Sequence, residues 1–129
     1  MLKEETLTEC VLTEPELTAL CAEWQKRLRL QDWTVKVKIA RERDMDANRA
    51  GQILWVSLKK VALIKILDSV DYNHTDGWPQ DHEETLVHEL LHLHNSRFPT
   101  EENNIDEEVA ITCVAQALVA LKRKNVNHI

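Results

Sequence analysis

The chain has 129 residues, 43% of them hydrophobic and 29% charged, and a formal net charge of -6. That length and balance fit one globular domain that can build its own core without disulfide staples. The excess of acid argues against a general nucleic-acid binder, which needs clustered Lys and Arg, and no apolar run approaches the roughly 20 residues of a membrane-crossing helix.

The opening "MLKEETLTEC" is acidic and lacks the apolar core of a signal peptide. Residues 1–12 precede the first periodic element and need not be ordered. Cys10, Cys21 and Cys113 are odd in number and form no C-x-x-C pair, so a reducing, cytoplasmic setting is expected. The basic groups "RER" (41–43), "KK" (59–60) and "KRK" (122–124) read as solvated faces.

The first element is a helix over residues 14–30. Thr13 and Glu16 fit a capping box, and Pro15 lies in the first turn, where a missing N–H is tolerated. Leu17, Leu20, Cys21, Trp24 and Leu28 recur at helical spacing, with Cys21 a core residue of that stripe. From Trp33 the period falls to two. In "WTVKVKIA", Val35, Val37 and Ile39 alternate with lysines, the pattern of a strand with one wet face. "RERDMDANRAG" is charged, ends on one of only two glycines and reads as a loop. "GQILWVSL" and "VALIKIL" are two further β-rich runs joined across Lys59 and Lys60, and short connections favour antiparallel neighbours.

"DSVDYNHTDGWPQ" is polar and punctuated by Gly77 and Pro79, a loop before the second helix. That helix starts near residues 79–81, with Asp81 and Glu84 as cap and partner, runs to about Asn95 and is broken by Pro99. The last helix covers residues 104–124, with Ile111, Val114, Leu118 and Leu121 as its stripe. The order α-β-β-β-α-α predicts an α+β domain in which helices pack on one face of a small, mainly antiparallel three-stranded sheet. Trp24, Trp33, Trp55 and Trp78 are expected to add large apolar surface to the core, Trp78 at the start of the second helix.

Within "ETLVHELLHLHNS", His88, Glu89 and His92 match H-E-x-x-H. On a helix the two histidines lie about 40° apart around the axis and one turn apart along it. Their nitrogens can then meet one zinc ion at about 2.0–2.1 Å. Glu89, rotated by about 100° from His88, can reach a water on the metal without being a ligand, the placement a general base needs. His94 falls about 200° from His92 and should point away. The longer motif that adds a glycine and a third histidine is absent, because Asn95 and Phe98 hold those positions.

A third ligand must come from elsewhere, and the last helix opens with Asp106, Glu107 and Glu108. At about 100° per residue, Glu107 falls on the side of Ile111, Val114 and Leu118, where an unpaired carboxylate is costly. Glu108 falls roughly opposite the stripe and should be solvated. Asp106 lies on the other flank with a shorter side chain. Glu107 is the expected ligand, with Asp106 and Glu108 as the alternatives; all three also suit the positive end of the helix.

A His₂Glu set with an open fourth position is a catalytic zinc arrangement. With "LVHELLHL" and the downstream "EEVAITCVAQAL", the chain resembles a minimal gluzincin-type zincin metallopeptidase, similar to the small ImmA/IrrE-like and SprT-like peptidases of bacteria and their phages. In the second stretch, Glu107, Ala110, Cys113 and Val114 fill the pattern E-x-x-A-x-x-φ-A/V that carries the glutamate ligand in ImmA-like proteins. The resemblance runs from about Leu17 onward. It implies a cytoplasmic hydrolase that holds Zn2+ on His88, His92 and Glu107. Its substrate would be a peptide or protein, cleaved through a metal-activated water with Glu89 as base. It also implies that an outer strand beside the cleft holds substrate as an added strand, with "VALIKIL" as the candidate. This sequence carries neither the cysteine-rich ribbon of SprT-like proteins nor the helix-turn-helix partner of ImmA-like ones, so a DNA-associated role does not carry over.

For the donor that faces the tetrahedral intermediate, Tyr72 and His74 in the loop before the second helix are the candidates. The competing expectation is a zincin-fold binding or regulatory protein with little turnover that works through a protein partner or regulator. An intact Glu89 favours the enzyme.

Overall fold

The computed structural model of the chain describes residues 9–98 and 104–127. Its elements are α1 (Glu14–Arg27), β1 (Thr34–Ala40), β2 (Gly51–Val56), β3 (Val61–Leu67), α2 (His82–Asn95) and α3 (Ile105–Asn127). The α+β class and the order of elements are as expected. Thr13 and Glu16 close the capping box of α1. The helix ends three residues short of the expected Leu30 because Arg29 turns left-handed, at φ 61°. Leu30 N–H then bonds the Gln25 carbonyl at 2.7 Å and Arg29 N–H the Lys26 carbonyl at 3.2 Å. That pair closes a helix end, and the buried Leu30 seals it.

The sheet order is β1-β3-β2. β2 and β3 are antiparallel, from Gly51 against Ile66 to Val56 against Val61, as a tight turn over residues 57–60 requires. β1 runs parallel to β3, from Thr34 against Val61 to Ala40 against Leu67. The sheet is therefore mixed, which corrects the mainly antiparallel expectation: the longer connection 41–50 carries the chain past β3 before it turns back. β3 is central because Ala62, Ile64 and Ile66 are all buried. The flanking strands are wetter, with Lys36 and Lys38 exposed on β1 and Leu54, Trp55 and Val56 on β2.

α1 and α2 cover one face of the sheet, and α3 packs chiefly on α2. Leu17, Cys21 and Trp24 of α1, Ile64 and Ile66 of β3, and Leu86, Val87, Leu90 and Leu93 of α2 share one core. Trp24 and Trp33 belong to it; Trp55 and Trp78 do not, being 40% and 68% exposed. Trp55 stands on an edge strand and Trp78 on the loop before α2.

The stripe on α3 is also rotated from expectation. Ile111, Ala115 and Val119 are buried, whereas Val114 and Leu121 are exposed. Nor is "KRK" a solvated face. Lys122 Nζ donates to Glu83 at 2.6 Å, and Arg123 grips Asp81 through bonds of 2.8 and 3.0 Å. Trp24 Nε1 donates to the same buried Glu83 carboxylate at 2.7 Å, so one acid ties three helices together.

Of residues 1–12, the first eight lie outside the described residues, as does Pro99. Cys10 is bridged to the start of α2, its N–H on the Gln80 carbonyl at 2.9 Å and its carbonyl accepting from His82 N–H at 2.8 Å. Among the described residues, no helix is long and apolar enough to cross a membrane.

Candidate metal centre

Asp81 caps α2 by accepting from Glu84 N–H at 3.0 Å. The buried run of Leu86, Val87, Leu90 and Leu93 fixes the rotation of the helix, so His88 and His92 emerge together on the side toward α3. Their ring centroids are 5.2 Å apart. His88 Nε2 lies 2.9 Å from one Glu108 oxygen, and His92 Nε2 lies 3.0 Å from the other. One ligand atom from each of these three residues lies within 4.8 Å of the others.

The remaining ring nitrogens are engaged as well. Thr112 Oγ1 is 3.3 Å from His88 Nδ1, and a Glu107 oxygen is 3.3 Å from His92 Nδ1. Both imidazoles thereby turn Nε2 toward a single carboxylate. Glu108, expected to be solvated, is half-exposed yet bridges both rings. Glu107 sits behind His92 with its side chain 16% exposed. The buried stripe explains the exchange. It is centred about 80° around α3 from the one read off the sequence, and that rotation brings Glu108 to the inner face and moves Glu107 to its flank.

This donor set fits a divalent cation. Tetrahedral zinc at about 2.0–2.1 Å from its ligands holds them roughly 3.3 Å apart, close to the spacing between each Nε2 and the Glu108 carboxylate. The second oxygen of Glu107 is buried and has no hydrogen-bond partner among the described residues, a condition that a nearby ion or water relieves. Burial lowers the pKa of His88, outweighing the opposing pull of Glu108, and keeps the ring in the neutral form that ligates metals.

Glu89 points off the ligand line, as its place one residue after His88 requires, and is 6% exposed. Burial first, then the Glu108 charge, pushes its carboxyl up to about 8, with Arg49 pulling the other way. β2 comes this near only because residue 51 is glycine. A Cβ there would meet Thr85 Cγ2 at 2.5 Å and a Glu89 oxygen at 3.2 Å.

The site opens into a cleft of about 860 Å³ between β2, the 41–50 loop and α3. Its walls carry the carboxyl groups of Asp46, Glu84, Glu89, Glu107 and Glu108. Among the described residues lining it, Arg49 is the one Lys or Arg. Neither Tyr72 nor His74 lines it. Tyr72 OH donates to the Trp78 carbonyl at 2.9 Å, while His74 bonds Glu9 at 2.6 Å and the Ser69 carbonyl at 2.9 Å. Their nearness in sequence to α2 misleads, because the helix begins at His82, about 9 Å along the axis from His88. His94 also points away, onto the Leu28 carbonyl.

"VALIKIL" cannot take an added strand, since both its edges are already paired. The edge along the cleft belongs to β2. Thr112 and Arg49 went unnoticed in the sequence. Thr112 is legible once Glu108 is placed, being one turn on from it; Arg49 had no signal before the sheet order was known. Comparison of the chain with protein-family models, with curated proteins and with solved structures finds no match.

Proposed function

We propose that the protein is a zinc-dependent peptidase whose metal is held by His88, His92 and Glu108. The observation that carries this reading is the convergence of both Nε2 atoms on one carboxylate, with a buried Glu beside them. Glu107 and Thr112 act as positioning residues. Each holds the far nitrogen of one imidazole and so fixes its tautomer and direction, a role worth about 10–100-fold in metal affinity. When bound, the ion would acidify a water and polarise a carbonyl oxygen.

Glu89 is the proton carrier. It takes a proton from water in the cleft and passes it to the leaving amine. Burial favours the protonated state that the second half of that cycle needs, and the charge of a bound ion would favour the carboxylate that the first half needs. Arg49 is the cationic group of the cleft wall and offers charge to a developing oxyanion. A peptide would lie along the free edge of β2, main chain to main chain, with apolar side chains near Leu54 and Trp55.

The test is a set of three variants of untagged protein. Glu89→Gln should abolish peptide hydrolysis while calorimetry still finds one zinc per chain. Glu108→Gln should lose zinc binding almost entirely, and Glu107→Gln should weaken it by about 10–100-fold. Wild-type protein that takes up no zinc would overturn the proposal. Wild-type protein that holds zinc but hydrolyses no peptide would instead indicate a metal-holding binding protein, and full hydrolysis by Glu89→Gln would remove Glu89 from the mechanism.

A further inference from the structure

α3 turns Glu108, Ile111, Ala115 and Val119 toward α2 and the cleft, and among the described residues its other side is open. A surface helix ordinarily carries polar residues there. Here Val109 is 58%, Val114 47% and Leu121 56% exposed, with Cys113 exposed between them. Gln116 is the single polar side chain among the exposed residues from Val109 to Leu121. We propose that this outer face of α3 is the interface of a homodimer in which the two copies of the helix pack antiparallel.

A second copy is the occupant that the sequence of α3 itself specifies. When two such helices lie side by side, centred at the level of Ala115, Cys113 faces Ala117 of the other copy, and Val109 and Leu121 come to the same height on opposite flanks of the seam. Small side chains at the centre thus allow an axis separation of about 8 Å, with larger ones closing its two sides. The ends match too. Asp106 and Lys124 are both exposed and five turns apart on the same line of the helix. In the antiparallel arrangement each acid meets the other copy's base, twice, by symmetry. An unrelated partner would cover the apolar surface; a second copy covers it and also pairs the charges at both ends of the face.

The area is adequate. An arc about 30 Å long and one helix diameter wide buries on the order of 600 Å² per copy, roughly 1,200 Å² in all, the lower bound for a specific interface. The cleft lies on the opposite side of α3, so both sites stay open in the dimer, and the helix bearing Glu107 and Glu108 is braced from behind.

Sedimentation velocity on the full chain tests this. At about 100 μM the wild type should sediment as two chains of 15.0 kDa. Ala117→Arg should sediment as one, with an unchanged far-UV circular dichroism spectrum. The register has its own readout. Asp106→Cys and Lys124→Cys, each combined with Cys113→Ala, should cross-link when mixed and oxidised. Asp106→Cys alone should not, its two copies being about 27 Å apart. A wild type that stays monomeric at that concentration overturns the proposal. A dimeric Ala117→Arg protein, or Asp106→Cys chains that cross-link to each other as readily as to Lys124→Cys, would do the same.

Discussion

Gly51→Ala should destabilise the protein, and Thr85→Ser should relieve most of the damage. The alanine Cβ would sit 2.5 Å from Thr85 Cγ2, against about 3.5–4.0 Å for carbon atoms at ease. Neither partner yields readily. β2 is locked in register to β3 from Gly51 against Ile66 onward, and α2 is held by its buried leucines. A Thr side chain on a helix has few rotamers to retreat into. Overpacking of this kind costs about 1–3 kcal/mol. Serine lacks the offending methyl, leaving the added Cβ to face Glu89 atoms at 3.2 and 3.4 Å. The end of that longer side chain can move by a few tenths of an ångström. Urea unfolding of the wild type, both single variants and the double variant closes a cycle, with an expected coupling of about 1–2 kcal/mol in favour of the double. A Gly51→Ala protein within about 0.5 kcal/mol of wild type, or a double variant no better than the sum of its parts, would refute the close-approach argument.

Glu83→Ala should cost about 1–3 kcal/mol in urea unfolding, because Trp24 Nε1 would lose its buried acceptor and Lys122 would keep only Glu23, at 3.5 Å; a loss under about 0.5 kcal/mol would mean that the network is decorative. His82 accepts from Leu12 N–H through Nδ1 and faces the Leu67 carbonyl through Nε2, and its burial lowers its pKa. The unfolded chain therefore binds the proton first. The stability held by neutral His82 is present above about pH 6.5 and is lost as pH falls toward the folded value. NMR titration should find His82 still neutral below pH 6.5, and a melting temperature flat from pH 7.5 to 5.5 would contradict the assignment. Arg29→Gly should raise stability by about 0.5–1 kcal/mol, since the left-handed closure of α1 suits glycine better; a lower urea midpoint would count against that reading of the helix end.

Local chemistry made much of this protein legible from its residues alone. The Thr13–Glu16 box, the alternation in "WTVKVKIA" and the four-residue spacing of His88 and His92 each answer to forces acting within a few residues, and each takes the expected form. α3 failed because it is apolar nearly all round. Ile111, Val114, Leu118 and Leu121 make as good a stripe as Ile111, Ala115 and Val119, and only the packing against α2 selects the second. A rotation of about 80° then set Glu108 between the two Nε2 atoms and left Glu107 behind His92, on its Nδ1. The sheet failed for a related reason. Nothing local distinguishes a parallel from an antiparallel partner for β1; β3 takes the centre because it is the strand whose burial the two helices above it require. Periodicity within an element follows from neighbouring residues, but which side of a uniformly apolar helix faces inward, and which strand lies in the middle, depends on competition for one shared core.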